Sequence, residues 1–155
     1  MISLREIEPT DISRFFDFMQ DKNSLWQAAF TSEDPTNRAK HTEHWEKILN
    51  NPNILNKTIL LDGQVVGSIG RYFMDEVAQI TYWLDSEFKG RGITTKALQL
   101  FLELDETRPL EGRTAFDNIA SAKVLTKNGF NQIGTDMYFS NARGIEIEEI
   151  IWRLV

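Results

Sequence analysis

Two glycines between an apolar run and an amphipathic run form the stretch of this sequence best suited to hold a phosphate. The stretch EFKGRGITTKALQLF, residues 87–101, places Gly90 and Gly92 before a run in which Ile93, Ala97 and Phe101 recur at helical spacing. The preceding VAQITYWL has the β-branched, apolar composition of a buried strand. A strand, a glycine loop and a helix start together point free backbone amides at an anion. The stretch predicts a phosphate-binding loop, a feature that several unrelated families share.

This sequence does not match either of two common phosphate-binding loop motifs. The P-loop requires Gly-x-x-x-x-Gly-Lys-Ser/Thr, and no such run occurs in the chain. The dinucleotide-binding fingerprint requires a third glycine, and Thr95 stands at that position. Both classes of nucleotide site are therefore excluded.

A second polar motif follows the next predicted strand, PLEGRTAFD. In NIASAKVLTKNGF, residues 118–130, Asn118 or Asp117 is placed to cap a short helix that Asn128 and Gly129 end. An asparagine amide can donate and accept hydrogen bonds, so Asn118 is suited both to a cap and to a ligand contact. Ser121 lies almost one helical turn further on and carries a hydroxyl to the same region.

Two histidines lie on a predicted helix, NRAKHTEHWEKILNN. His41, His44 and Trp45 fall within one arc of the helical wheel, which predicts that both histidines face the apolar side or its rim. A histidine with a pKa near 6.5 could accept a proton from a substrate amine, or could equally be a hydrogen-bonded residue at the edge of the core. The spacing HTEHWE is not the His-Glu-x-x-His of zinc enzymes, so no metal site is predicted.

Length and composition favour one globular domain spanning residues 1–155. The chain is 41% hydrophobic, has no cysteine and carries a net charge of −6. The absence of cysteine excludes disulfides and a cysteine nucleophile, and the acidic balance argues against nucleic-acid binding. No apolar run approaches the roughly 20 residues of a membrane helix, and no export signal is evident at the N-terminus. We therefore expect a cytoplasmic protein without a membrane or nucleic-acid partner.

The order of predicted elements is that of a mixed α/β sheet domain. A strand, two helices and three strands are followed by a helix, a strand, a helix and two final strands. The first helix is expected to be capped by Thr10 or Asp11, and the segment 24–36 is expected to break the helical pattern. In the last strand the apolar positions change phase between Ile147 and Ile150, which predicts a bulge or a sheet edge.

The two motifs together resemble those of the GNAT superfamily of acetyl-CoA-dependent N-acetyltransferases. In the loop motif, Gln/Arg-x-x-Gly-x-Gly/Ala, the three marked positions are Lys89, Gly92 and Thr94, so only the glycine matches strictly. In the second motif, the matching residues at the family's spacing are Asn118, Ser121, Lys127, Gly129 and Phe130. The strand ITYWLD and Ser121 are most similar to the RimJ/RimL-like branch, which acetylates protein N-terminal amines. The resemblance covers essentially the whole chain.

This resemblance implies a fold and a cofactor site. The fold is a single GNAT-like domain with a mixed, mostly antiparallel sheet of about six to seven strands flanked by about four helices. Acetyl-CoA is the implied co-substrate. Its pyrophosphate would meet the loop residues Lys89, Gly90, Arg91, Gly92, Ile93, Thr94 and Thr95. Its pantetheine arm would lie in a splay beside Tyr82, Trp83 and Leu84, with Asn118 at the mouth.

The resemblance also implies catalytic roles. Ser121 matches the serine that protonates the departing thiolate. Leu125 occupies the position of the tyrosine acid of other relatives and has no proton to give, so Ser121 is expected to be the only donor on this face. Gln79 occupies the position of the glutamate base, which leaves the base unassigned, and His44 is a candidate for that role. Trp26 and Phe30 are expected to form the walls of the acceptor pocket, although core packing would explain them equally well.

The predicted reaction is direct attack by a primary amine on acetyl-CoA within a ternary complex. The acceptor could be a peptide N-terminus, an amino acid, a polyamine or an aminoglycoside. The alternative is a CoA-binding sensor or interaction module that has lost turnover, as the missing base and tyrosine would suggest. Dimers are common among proteins of this resemblance, so a homodimer is one expected assembly.

Overall fold

The computed structural model describes all residues, 1–155, as seven strands and five α-helices. The elements in chain order are β1 (Ile2–Glu6), α1 (Pro9–Phe18), α2 (Lys22–Ala28), α3 (Arg38–Asn50), β2 (Leu55–Leu61), β3 (Gln64–Met74), β4 (Val77–Leu84), α4 (Ile93–Leu104), β5 (Leu110–Ala115), α5 (Ile119–Lys127), β6 (Asn131–Ser140) and β7 (Ile145–Leu154). A single turn of 3-10 helix, Ser86–Phe88, joins β4 to the glycine loop. None of the helices is long and apolar enough to span a membrane.

The seven strands form one sheet in the order β1-β2-β3-β4-β5-β7-β6. Every neighbouring pair is antiparallel except β4 and β5, which are parallel. The predicted hairpin turn lies at Asp62 and Gly63, where Gly63 adopts φ 83°, a conformation that glycine tolerates without strain. The predicted mixed, mostly antiparallel sheet is therefore confirmed.

The two parallel strands separate soon after they meet. Their ladder consists of two residue pairs, Ala78 with Leu110 and Gln79 with Glu111. β4 continues to Leu84 against β3, and β5 continues to Ala115 against β7, so each strand is held on its outer side only. The sheet opens into a fork, whose inner edges carry backbone groups that no neighbouring strand satisfies.

Apolar residues cover both faces of the sheet. The main core lies under α4 and α5 and includes Ile80, Leu98, Phe101 and Leu125, each nearly or fully buried. On the opposite face, a smaller cluster of Phe15, Phe18 and Trp45 joins α1 and α3 to the sheet. The fork therefore lies between two packed layers that hold its arms in place.

Three sequence predictions differ from the observed elements. The segment from residue 24, expected to break the helical pattern, instead contains most of α2, which Asp21 caps by accepting hydrogen bonds from the Ser24 amide and hydroxyl. The cap of α1 is Glu8 rather than Thr10 or Asp11, and the Asp11 carboxylate accepts from the Glu8 amide. The structure therefore has five α-helices instead of the four predicted, and α2 is the additional one.

The apolar positions of the last strand switch from one face of the sheet to the other, and the cause differs from the bulge or edge that was predicted. β7 lies between β5 and β6, and its pairing with β5 is continuous, so it is neither an edge nor bulged on that side. The register shift lies opposite, in β6, between Gln132 and Gly134. The pattern changes because Ile147 packs on one face of the sheet while Trp152 packs against the core on the other.

Candidate active site

The glycine loop ends at the start of α4 with its backbone amides free. Gly90 and Gly92 adopt φ 80° and φ 74°, and an added side chain at either glycine would point into open space. No side chain caps α4, and none of the amides from Gly90 to Thr95 donates a hydrogen bond within the protein. An anion placed here would meet several unpaired donors and the positive end of the helix dipole. The loop thus has the geometry that a pyrophosphate requires.

The basic side chains of this loop differ in their availability. Lys89 Nζ donates to Ser24 Oγ at 2.6 Å, which ties the loop to α2. Burial lowers the pKa of Lys89, and the charge of Asp21 offsets part of this effect. Arg91 is exposed, with its guanidinium 5.3 Å from the Phe88 ring centre. Of these two basic side chains, Arg91 is the one that is free to contact a ligand.

The residues predicted to line the splay lie on one arm of the fork. Tyr82, Trp83 and Leu84 form the end of β4, beyond the last pair with β5. Leu84 is buried in the main core, and Trp83 Nε1 donates to the carbonyl of Phe18 at 3.1 Å. The side chains of these two residues are engaged in packing, so a ligand in the fork would contact their main chain.

Asn118 and Ser121 lie at the mouth of the fork, where β5 gives way to α5. Asn118 caps the helix, because its Oδ1 accepts from the Ser121 amide at 3.2 Å. The Ser121 hydroxyl lies 2.5 Å from the hydroxyl of Tyr82 on the opposite arm. Burial raises the pKa of Tyr82 to about 12, and the hydrogen bond to Ser121 opposes this shift. A second hydroxyl, that of Tyr82 on β4, therefore lies beside Ser121.

The predicted acceptor wall is built around a strained turn after α2. Ala29 adopts φ 65° and ψ −50°, and the Phe30 amide donates to the Ala28 carbonyl at 2.7 Å, which closes a three-residue γ-turn. Ser140 Oγ, at the end of β6, donates to the Ala29 carbonyl at 2.6 Å and holds the turn. The turn places the Phe30 ring edge-on to Tyr138, with centres 6.4 Å apart. Strain of this kind is commonly kept at functional positions.

Arg143 connects the acceptor wall to the mouth of the fork. Its guanidinium donates two hydrogen bonds of 2.8 Å to Asp117, and its Nε donates to the Trp26 carbonyl at 2.9 Å. The same guanidinium lies 4.9 Å from the Trp26 ring centre. Trp26 is 55% exposed. Trp26 thus has a free ring surface beside the mouth, while Arg143 fixes its position.

The two histidines of α3 differ in burial. Both histidines were expected at the apolar side or its rim, and only His41 packs against apolar residues, while His44 is exposed. His41 packs edge-on against Phe16, with ring centres 5.3 Å apart, and neither of its buried ring nitrogens has a hydrogen-bond partner. Burial lowers the pKa of His41, and the charges of His44 and Arg38 add to this effect. The three-residue spacing sets the two side chains about 60° apart around the helix axis, so His41 lies on the packed face and His44 on the neighbouring solvent-exposed part of the helix.

Gln79, which occupies the position of the family's glutamate base, is buried and shut off from solvent. Gln79 is 1% exposed, and its amide donates to Glu111 at 3.3 Å. Glu111 is bound by Arg153 at 2.6 Å, and Glu149 by Arg113 at 2.9 Å. Both carboxylates are buried on the sheet face that carries α2. Burial raises the pKa of Glu149, although the Arg113 guanidinium opposes the shift.

Some site residues could not be identified from the sequence. Tyr82 was predicted to contribute its main chain, and only the fold brings its hydroxyl to Ser121. Arg143 lies in a predicted turn between two strands, where a single arginine carries no signal. The structure contains no group of three or more His, Asp or Glu side chains placed to hold a metal ion.

Comparisons with known proteins agree with this geometry. The family model described as an acetyltransferase (GNAT) domain matches residues 2–131. The protein named "Putative ribosomal N-acetyltransferase YdaF" of Bacillus subtilis (strain 168) is 31% identical over 146 residues, covering 86% of this chain and 79% of that protein.

Two solved structures share the fold. Mycobacterium smegmatis RimJ, in complex with CoA-disulfide, has a TM-score of 0.80 at 20% identity, over 99% of this chain and 81% of that one. The Microcin C7 self-immunity acetyltransferase MccE, in complex with acetyl-CoA and AMP, has a TM-score of 0.80 at 21% identity, over 99% and 92%. Since the family model spans most of the sequence, the chain belongs to the GNAT family of N-acetyltransferases, enzymes that transfer an acetyl group from acetyl-CoA to an amine.

Proposed function

We propose that this protein acetylates the α-amino group of a peptide N-terminus, by direct attack of the amine on acetyl-CoA in a ternary complex. The observation that carries the proposal is the fork between β4 and β5, with free loop amides at one end and Ser121 at its mouth. Acetyl-CoA supplies the activated thioester that the amine attacks. The name of the relative YdaF, a putative ribosomal N-acetyltransferase, supports a protein acceptor. The solved structure of RimL, a ribosomal L7/L12 alpha-N-protein acetyltransferase with the same fold (TM-score 0.79, 19% identity), supports the N-terminal amine.

The residues of this chain would divide the binding between them. The amides of Gly90 to Thr95 and the Arg91 guanidinium would hold the pyrophosphate. The free inner edge of β4 at Tyr82, Trp83 and Leu84 would pair with the amide-bearing pantetheine arm. Asn118 would hold the end of that arm, and Ser121 would face the sulfur. Trp26 and Phe30 would form the walls against which the acceptor lies.

The state of the carboxylates favours an α-amine over a lysine side chain. Both buried carboxylates near the fork, Glu111 and Glu149, are ion-paired to arginine, and Gln79 cannot accept a proton. Deprotonating a lysine at pH 7 costs roughly 4 to 5 kcal/mol, whereas a terminal α-amine with a pKa near 7.7 to 8.0 costs about 1 kcal/mol. A site that has no free carboxylate to remove a proton suits the α-amine, because the α-amine is the weaker base of the two acceptors and is more easily deprotonated. His44 remains a proposed base, and it would have to move toward the fork to act.

An acetyl-transfer assay with a panel of acceptors tests the proposal. Free thiol release from acetyl-CoA would be followed with ribosomal N-terminal peptides, the same peptides blocked at the N-terminus, free amino acids, polyamines and aminoglycosides. The expected result is turnover with unblocked peptides and none with the blocked peptides, even where they contain lysine. Turnover confined to a small-molecule amine would overturn the acceptor class. Tight acetyl-CoA binding without turnover on any amine would instead support the alternative CoA-binding module.

A further inference from the structure

One short hydrogen bond spans the fork near its mouth. The Tyr82 hydroxyl, on the β4 arm, lies 2.5 Å from the Ser121 hydroxyl in the first turn of α5, the helix that follows the β5 arm. The Tyr82 ring lies among the apolar residues that pack against the main core, while Ser121 is half-buried. The contact thus joins a phenol held in an apolar setting to a hydroxyl nearer the opening.

The surroundings determine which hydroxyl donates. Ser121 is the only hydrogen-bond partner of the Tyr82 hydroxyl in the protein, so its proton would be left unsatisfied if it pointed elsewhere. A phenol is also a stronger acid than an alcohol, which makes it the better donor of the two. The raised pKa of Tyr82, about 12, keeps it protonated throughout the working pH range. Tyr82 therefore donates, and Ser121 Oγ accepts.

We infer that Tyr82 is a positioning residue for the acid step, which orients the Ser121 hydroxyl so that its own proton points at the sulfur of the departing coenzyme A. The inference rests on the proposed function. A serine hydroxyl rotates freely unless its oxygen is held, and the bond from Tyr82 fills one of its two acceptor positions. The remaining proton is then directed away from Tyr82, toward the opening of the fork.

The proton balance of the step is complete without any further reagent. The carbon–sulfur bond breaks, its electron pair passes to sulfur, and sulfur takes the Ser121 proton. Ser121 Oγ, which the hydrogen bond from Tyr82 stabilises, is then restored by the proton that the attacking amine loses, and Tyr82 keeps its own proton throughout. A free coenzyme A thiol has a pKa near 8.5, so the thiolate requires only modest help from such a donor.

The first test measures the sulfur directly, without turnover. Affinity for CoA and for desulfo-CoA would be measured by calorimetry from pH 6.5 to 9.5 in the wild type, Tyr82→Phe and Ser121→Ala. A hydroxyl directed at sulfur stabilises the thiolate, so wild-type CoA affinity, relative to desulfo-CoA, should rise about tenfold over this range, equivalent to a thiol pKa lowered by about one unit. Both variants should lose most of this rise. A rise that is unchanged in Tyr82→Phe would overturn the inference.

The second test uses a double-mutant cycle in kcat. Ser121→Ala is expected to lower kcat about 10- to 1000-fold, and Tyr82→Phe about 5- to 50-fold, with acetyl-CoA affinity little changed in both. Adding Tyr82→Phe to Ser121→Ala should have almost no further effect, because the tyrosine acts through the serine. Thr126→Val is the control, since the Thr126 hydroxyl donates to the Ala122 carbonyl on the same helix, and it should retain wild-type kcat.

Failure of the proposed function and failure of the Tyr82 role would give different results. If the proposed function is wrong, neither CoA compound binds, or no acceptor is acetylated by the wild type. If only the role of Tyr82 is wrong, the wild type turns over and Tyr82→Phe matches it in kcat or adds its full effect to Ser121→Ala. A loss of melting temperature in Tyr82→Phe with normal kcat and a normal CoA pH response would mark the contact as a structural brace.

Discussion

Gly92 carries the strongest residue-level prediction about the loop. An added Cβ would point into open space beside the free amides, which is the space that the pyrophosphate is proposed to fill. Gly92→Val is therefore expected to weaken acetyl-CoA binding by at least tenfold. The φ of 74° also imposes strain on any larger residue, roughly 1 to 2 kcal/mol.

A matched control separates strain from binding. Gly63 has φ 83° and open space around it, but lies in the β2–β3 turn away from the loop. Gly63→Val should show a similar loss of melting temperature and wild-type affinity in calorimetry. Equal affinity in the two variants would contradict the placement of the pyrophosphate.

The missing carboxylate base makes the pH profile informative. If the acceptor amine loses its proton without help from a side chain, kcat/KM should rise about tenfold per pH unit and level off near pH 8, because only the neutral α-amine attacks. A histidine base would add a second, acidic limb to the profile. Comparing the profiles of the wild type and His44→Ala decides between these outcomes, and a limb lost in His44→Ala would establish the histidine as the base.

At the scale of elements, Asp11 is the residue that fixes α1 to the sheet. Its carboxylate accepts from Arg5 at 2.6 and 2.9 Å, from Thr58 Oγ1 at 2.7 Å and from the Glu8 amide at 2.8 Å. Asp11→Asn breaks the ion pair between this buried carboxylate and the partly exposed Arg5, and is expected to lower the free energy of unfolding by about 2 to 3 kcal/mol. Asp17→Asn, on the exposed side of the same helix, should change it by less than about 1 kcal/mol.

The same carboxylate predicts a loss of stability in acid. Burial alone would raise the pKa of Asp11, but the hydrogen bonds from Arg5, Glu8 and Thr58 lower it below its ordinary value of 3.8. A carboxyl with a lowered pKa in the folded state stabilises the fold above pH 4, and this contribution disappears as pH falls through the folded pKa. Urea unfolding from pH 7 to pH 3 should bring the wild type and Asp11→Asn closer in stability as the pH falls.

The acceptor wall depends on the link between α2 and the β6–β7 connection. Arg143→Met removes the bond to the Trp26 carbonyl and the pair with Asp117, so we expect the KM for the acceptor to rise about tenfold with acetyl-CoA affinity retained. Arg38→Met is the matched control, because Arg38 also stacks on an aromatic ring, Phe16 at 4.2 Å, and pairs with Asp17. An unchanged acceptor KM in Arg143→Met would remove this link from the site.

The elements that the sequence predicted best are those with local signals. Apolar periodicity, Asp62-Gly63 and the Asn118 cap are each determined by neighbouring residues, and the structure confirms all three. Helix α2 was missed because its short run has no apolar stripe, and its stability comes from the Asp21 cap and the contact of Ser24 with Lys89. The Tyr82–Ser121 contact joins residues 39 positions apart, so no local pattern could reveal it.

At the scale of the whole molecule, ligand binding should be visible in thermal stability. Acetyl-CoA that spans the fork and the loop contacts both β4 and the start of α4, whereas acetyl-pantetheine lacks the pyrophosphate and reaches only the fork. Stabilisation grows with the logarithm of ligand concentration over Kd, so acetyl-CoA should raise the melting temperature several degrees more than acetyl-pantetheine at equal concentration. Equal shifts would show that the loop amides contribute nothing to binding.

The two-pair junction of β4 and β5 has a consequence for the choice of acyl donor. Since the strands share only Ala78–Leu110 and Gln79–Glu111, the width of the gap beyond these pairs is set by the packing layers and by cross-links such as Tyr82–Ser121 rather than by hydrogen bonds between the two strands. A propionyl or butyryl chain needs more width than an acetyl group. Removing that cross-link in Tyr82→Phe should therefore relax donor selectivity, measured as a higher ratio of propionyl-CoA to acetyl-CoA turnover, so that a single phenol oxygen contributes to chain-length discrimination.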